Sequence, residues 1–67
     1  MIAVTVNGKQ REIEAEVDLA AFLRVLEIDP RAVAVARNGE VVPRAQHANV
    51  TVREGDSVEI VRMVGGG

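Results

Sequence analysis

The sequence predicts an α+β fold: a mixed sheet of four to five strands with one main helix on one face. Three observations predict it. The dipeptide Asn-Gly occurs twice, at Asn7-Gly8 and Asn38-Gly39, each time between β-rich runs. It is the strongest short hairpin signal, because a type I′ turn needs φ > 0 at both central residues. Only one stretch, Leu19, Phe22, Leu23 and Leu26, repeats apolar residues at helical spacing. A last apolar run, residues 58–63, closes the order ββ-α-ββ-β, with one helix to cover one sheet face.

Taken in order, Ile2, Val4 and Val6 share one face of a first strand. The return strand is expected over residues 10–16, with Ile13, Ala15 and Val17 turned inward. Glu12, Glu14 and Glu16 then form a solvated row, with a basic partner surface as the sharper alternative. Asp18 is the expected N-cap of a helix over residues 19–28, its carboxylate suited to the free N–H groups and the dipole there. Val17 stands at the staple position relative to Phe22. Pro30 is expected to end the helix, since a proline disfavours helical backbone in the residue before it. Residues 32–37 read as a strand with Val33 and Val35 on one face. Glu40, Val41 and Val42 form its short return, ended by Pro43, which has no N–H for a ladder. Residues 44–49 read as irregular, residues 50–52 as a brief strand and Glu54-Gly55-Asp56 as a turn. In the last strand Val58 and Ile60 point inward. The expected core is Val4, Ile13, Phe22, Leu23, Leu26, Val35, Val58 and Ile60.

The first and last strands are expected side by side in the middle of the sheet, the last one next to Val33–Arg37. Glu59, Val61 and Met63 then point outward, beside Ala3 and Thr5 on one side and Ala34 and Ala36 on the other. That face is more apolar than a solvated face requires, and contiguous exposed apolar surface marks partner sites. Val61, Met63, Glu59 and Ala36 are the expected docking residues.

Composition narrows the function. Sixty-seven residues make one small domain with a modest core. The apolar fraction of 48% is that of a folded chain. With no cysteine there is neither a disulfide nor a thiolate metal site. A net charge of −2 and a single aromatic, Phe22, argue against nucleic acid as partner. The N-terminus lacks a basic n-region, and no apolar run approaches the ~18–20 residues of a membrane span. The chain therefore reads as cytoplasmic.

No catalytic set is readable on the body. His47 has no second His or Cys to share a metal and reads as an ordinary loop histidine. Ser57 opens a strand after a turn acid and has no base beside it. The glycines in the three turns match no phosphate-binding pattern. What remains is Val64-Gly65-Gly66-Gly67. Residues 1–63 are expected to form the domain and residues 64–67 a flexible tail. Three glycines reach roughly 10 Å and fit a passage too narrow for any side chain. Two readings stand: a plain linker, or a tail whose Gly67 carboxylate is the working group.

Taken together, Ile2 to Gly8, Val17 to Leu26, Val35-Ala36-Arg37-Asn38-Gly39-Glu40-Val41-Val42-Pro43-Arg44, Glu54-Gly55-Asp56-Ser57-Val58-Glu59-Ile60 and the final Val64-Gly65-Gly66-Gly67 are similar to one family. Over its whole length the chain resembles the small ubiquitin-like sulfur carriers of bacteria, of the ThiS type that serves thiamine biosynthesis. The resemblance implies a β-grasp fold and a carrier that is not itself an enzyme. It implies a ubiquitin-activating-type, ThiF-like adenylyltransferase that uses ATP and Mg²⁺ to adenylate the Gly67 carboxylate, with Val64, Gly65 and Gly66 threading its active site. Sulfur that a cysteine desulfurase takes from cysteine then replaces the adenylate, giving a thiocarboxylate. A ThiG-like thiazole synthase would receive that sulfur. The molybdopterin-synthase small subunit also ends in Gly-Gly, but such chains tend to be longer, with prolines where Arg62-Met63-Val64 stands here. A carrier for another sulfur pathway, or a ubiquitin-like binding module whose tail does no chemistry, would share the fold.

Overall fold

The computed structural model describes residues 1–64. Strands β1 (Ile2–Val6) and β2 (Lys9–Ile13) form an antiparallel hairpin in register from Ile2 opposite Ile13 to Val6 opposite Lys9. Asn7 and Gly8 join them at φ +50° and +81°, the left-handed pair that a type I′ turn needs. The expected return strand over 10–16 stops at Ile13. Its register explains why: Ile13 already faces Ile2, so β1 offers no further partner. Glu14, Ala15 and Glu16 are exposed and lie off the sheet. Val17–Asp18 (β3) pairs instead with Thr51–Val52 (β6) in a separate two-stranded sheet.

Asp18 caps helix α1 (Leu19–Val25) as expected, Oδ1 accepting from the Ala21 N–H at 2.8 Å. The helix is shorter than the expected 19–28. Leu26 is its C-cap, and Glu27 follows in the left-handed region at φ +59°. The Ile28 N–H donates to the Leu23 carbonyl at 2.9 Å and the Glu27 N–H to Arg24 at 3.0 Å. This is a Schellman closure with glutamate in the place usually held by glycine. Pro30 is therefore not the terminator; it opens a 3₁₀ turn, Pro30–Ala32, that Asp29 caps through the Arg31 N–H.

Strand β4 (Val33–Arg37) pairs with the short β5 (Glu40–Val41) across Asn38 and Gly39 at φ +50° and +86°. Residues 44–49, expected to be irregular, form the 3₁₀ helix Arg44–Asn49. After β6 and the turn at Gly55, β7 (Ser57–Arg62) enters the middle of the sheet, parallel to β1 and antiparallel to β4. The main sheet has the order β2-β1-β7-β4-β5, as the sequence predicts.

The core is Val4, Leu19, Phe22, Leu23, Val33, Val35, Val52 and Val58. Ile13, Leu26 and Ile60 were expected within it and only pack against its rim. Ile13 ends β2 and Leu26 caps the helix, while Ile60 lies within β7 where the short helix no longer covers the sheet. Val52 takes part because β6 swings under the helix beside β3. His47 departs from the loop reading: it is 4% exposed, its Nε2 donates to the Val42 carbonyl at 3.1 Å, and its Nδ1 has no hydrogen-bond partner among the described residues.

Candidate functional site: the outer sheet face and the root of the tail

The last strand carries the tail, so what fixes β7 fixes the tail's point of departure. Two turn asparagines hold it from opposite sides. The Asn7 side chain pairs with Ile60 as a strand would, accepting from its N–H at 2.7 Å and donating to its carbonyl at 3.1 Å. Asn38 bonds Ser57 through its backbone N–H (2.7 Å to the carbonyl) and its Oδ1 (2.9 Å from the N–H). Beyond the strand, the Met63 N–H donates to the Ala32 carbonyl at 2.9 Å. The backbone is thus held up to one residue before Val64, which is 96% exposed. Gly65, Gly66 and Gly67, the expected acyl site and its approach, lie outside the described residues.

The turn before β7 is tied down by a half-buried charge. The Asp56 side chain is 12% exposed and accepts from the Arg53 N–H at 2.8 Å and the Asn38 amide at 3.1 Å, with Arg37 Nη1 at 3.5 Å. Burial alone would push this carboxyl up. The Arg53 N–H, the Asn38 amide and the Arg37 guanidinium together outweigh it and hold the group below its ordinary value of 3.8.

On the sheet face away from the helix the register places Ala34 opposite Val61 and Ala36 opposite both Glu59 and Val41. Val61, Met63 and Val41 are 62%, 53% and 74% exposed; Glu59 and Ala34 are exposed and Ala36 is half-buried. The four expected docking residues therefore lie on one face, at the root of the tail. Val41 joins them, a residue that sequence reasoning missed. Counting back from the Asn38-Gly39 turn would have placed it beside Ala36. Among the described residues no three His, Asp or Glu converge on a metal-sized site.

A mixed five-stranded sheet grasping one helix, with an exposed apolar outer face where the last strand ends, defines a ubiquitin-like β-grasp domain. The ThiS family model matches residues 4–67, and the chain belongs to that family. The crystal structure of the thiamine biosynthesis protein ThiS from Geobacter metallireducens superposes with a TM-score of 0.88 at 33% identity, over 98% of this chain and all of that one. A solution structure of a thiamine biosynthesis protein from the same organism gives 0.80 at 33% identity, over 98% of this chain and 88% of the other. Two curated relatives are called thiazole synthase. The one from Paramagnetospirillum magneticum is 44% identical over 64 residues and the one from Magnetococcus marinus 38% over 64 residues. Each match covers 96% of this chain but 20% of the relative, so the chain spans about a fifth of their length.

Proposed function

We propose that this protein is a sulfur carrier of thiamine biosynthesis whose Gly67 carboxylate is the acyl group that carries the sulfur. The observation that supports this best is a family match that runs through the glycine tail, on a chain alike over nearly its whole length to a ThiS structure. A carboxylate is a poor acyl donor. A ubiquitin-activating-type partner, holding ATP and Mg²⁺, would join it to AMP and release pyrophosphate. The terminal sulfur of a persulfide formed by a cysteine desulfurase would then displace AMP to give an acyl disulfide. A second thiol would cleave its S–S bond, forming a disulfide with the carrier sulfur's former partner and leaving a thiocarboxylate on Gly67. This chain's part is to present an uncrowded carbonyl carbon, since glycine places no side chain beside it. It also presents a face to dock: Val61, Met63, Glu59 and Ala36, close enough to the tail for a partner to grip the body while it works on the tip.

The acceptor we infer is a thiazole synthase. Two relatives of that name contain a segment like this chain within a longer polypeptide, which supports a working association of the two activities. The decisive experiment is an intact-mass measurement after incubation with ATP, Mg²⁺, an activating enzyme of this type and a sulfur source. The mass of the protein should rise by the difference between a sulfur and an oxygen atom. An unchanged mass, with an activating enzyme shown competent on another carrier, would overturn the carrier reading.

A further inference from the structure

The helix is too short to cover its side of the sheet. It closes at Leu26, and beyond it Val6 of β1 and Ile60 of β7 stay only half-buried on the inner face. Together with Leu26 and Ile28 they floor an open groove of about 560 Å³ at the end of the sheet where the Asn7-Gly8 turn lies and the tail departs.

The groove has a distinct charge. Lys9 and Arg11 of β2 and Arg62 of β7 line it, and among the described residues no carboxylate does. None of the three takes part in an ion pair among the described residues; those pairs use Arg31, Arg37 and Arg53. Glu27, between two lining residues, is exposed and is not part of the lining. In a chain of net charge −2, three unpaired cations around one apolar floor form a local reversal of sign.

The groove also borders an open strand edge. The Thr5 and Asn7 N–H groups donate to the β7 side, to the carbonyls of Asp56 and Val58. The even residues of β1 therefore bond β2 through their partners Lys9, Arg11 and Ile13. Gln10 and Glu12 are left with N–H and C=O groups pointing outward, and no strand pairs there among the described residues. An extended segment laid along that edge would gain backbone hydrogen bonds and direct alternate side chains over the groove.

We propose that this groove and the β2 edge form a second docking site, for an extended segment of a partner protein that alternates apolar and acidic residues. The apolar side chain enters between Leu26 and Ile60, and the carboxylates meet Lys9, Arg11 and Arg62. The site lies on the opposite sheet face from Val61 and Met63, so two partners can hold the carrier at once. It stands independently of any chemistry at the tail.

The test is amide chemical-shift mapping of the protein with a synthetic peptide of alternating Val and Asp, and with its Val and Lys counterpart. The Val–Asp peptide should shift the amides of Lys9–Ile13 and of Leu26 and Ile28, more strongly at low salt. The double variant Lys9→Glu/Arg11→Glu should weaken binding by about tenfold or more. Arg62→Glu, on another strand, should do the same, and both should keep the folded amide spectrum. Val61→Asp should bind the peptide as the wild type does. Equal binding of the two peptides, full binding by the charge-reversed variants, or shifts confined to the outer face would overturn the proposal.

Discussion

Single residues bear on two separable tasks here, the docking proposed for Val61 and Met63 and the holding of the last strand. Val61 and Met63 are more than half exposed. Val61→Asp and Met63→Asp should each weaken binding to the activating enzyme by at least about tenfold, or about 1.4 kcal/mol, with little change in stability. Binding titrations beside thermal melts check this; unaltered affinity in both variants would remove the face from the docking surface. Asp56 serves the other task. Its folded-state value lies below its unfolded one, so its carboxylate stabilises the fold above the ordinary value of 3.8. That stabilisation is lost as pH falls through the lower folded-state value. Asp56→Asn should lower stability at neutral pH and flatten its decline at pH values below 3.8, as read by urea titrations across that range. The Asn-Gly turns were legible as hairpins, but not that Asn7 and Asn38 would bond β7. A turn residue's side chain finds its partner only when a strand 50 residues away lies beside it, as the Asn7–Ile60 pair does at a separation of 53.

At the scale of elements, the start of the helix was readable and its end was not. Asp18 announces a cap by residue type alone, whereas a Schellman closure on glutamate carries no sequence mark. Left-handed backbone costs roughly 1–2 kcal/mol for a residue with a Cβ, and Glu27 bears that cost in full. Glu27→Gly should therefore raise stability, by up to about 1 kcal/mol after the added freedom of the unfolded chain is counted. A shift of the urea midpoint to higher concentration, with unchanged slope, is the expected result. A destabilised variant would show that the Glu27 side chain makes contacts worth more than the strain. The early helix end has a second effect: it leaves Val6 and Ile60 half-covered and creates the basic groove. The missed 3₁₀ helix Arg44–Asn49 has the same origin. Its residues are polar with no apolar period, and it forms because it bridges β5 to β6 beneath the helix, burying His47 on the way.

At the scale of the molecule, body and tail are expected to separate cleanly. Among the described residues every strand and the helix lie within residues 2–62, and the last backbone bond before Val64 is that of Met63 to Ala32. Deleting Gly67 should therefore leave the melting temperature unchanged while abolishing the mass gain that marks charging. A lowered melting temperature would mean that the tail contributes to the fold. The sequence by itself determined the sheet order, the two hairpins and the inward faces, Ala15 excepted, because these rest on turn chemistry, on the handedness of the crossover and on a period of two. It also marked Val61 as an outward residue of a central strand and Met63 as exposed, although the strand stops at Arg62 and Met63 lies just beyond it. Only the tertiary structure decided where each element stops, since ends depend on when a neighbour runs out: Ile13 at the limit of β1, Val25 at the Glu27 closure. It alone put Val52 in the core, paired the Asn7 amide with Ile60, and brought Lys9, Arg11 and Arg62 around one groove. These contacts join positions far apart in the chain, and no local pattern of residue types encodes a distance between them.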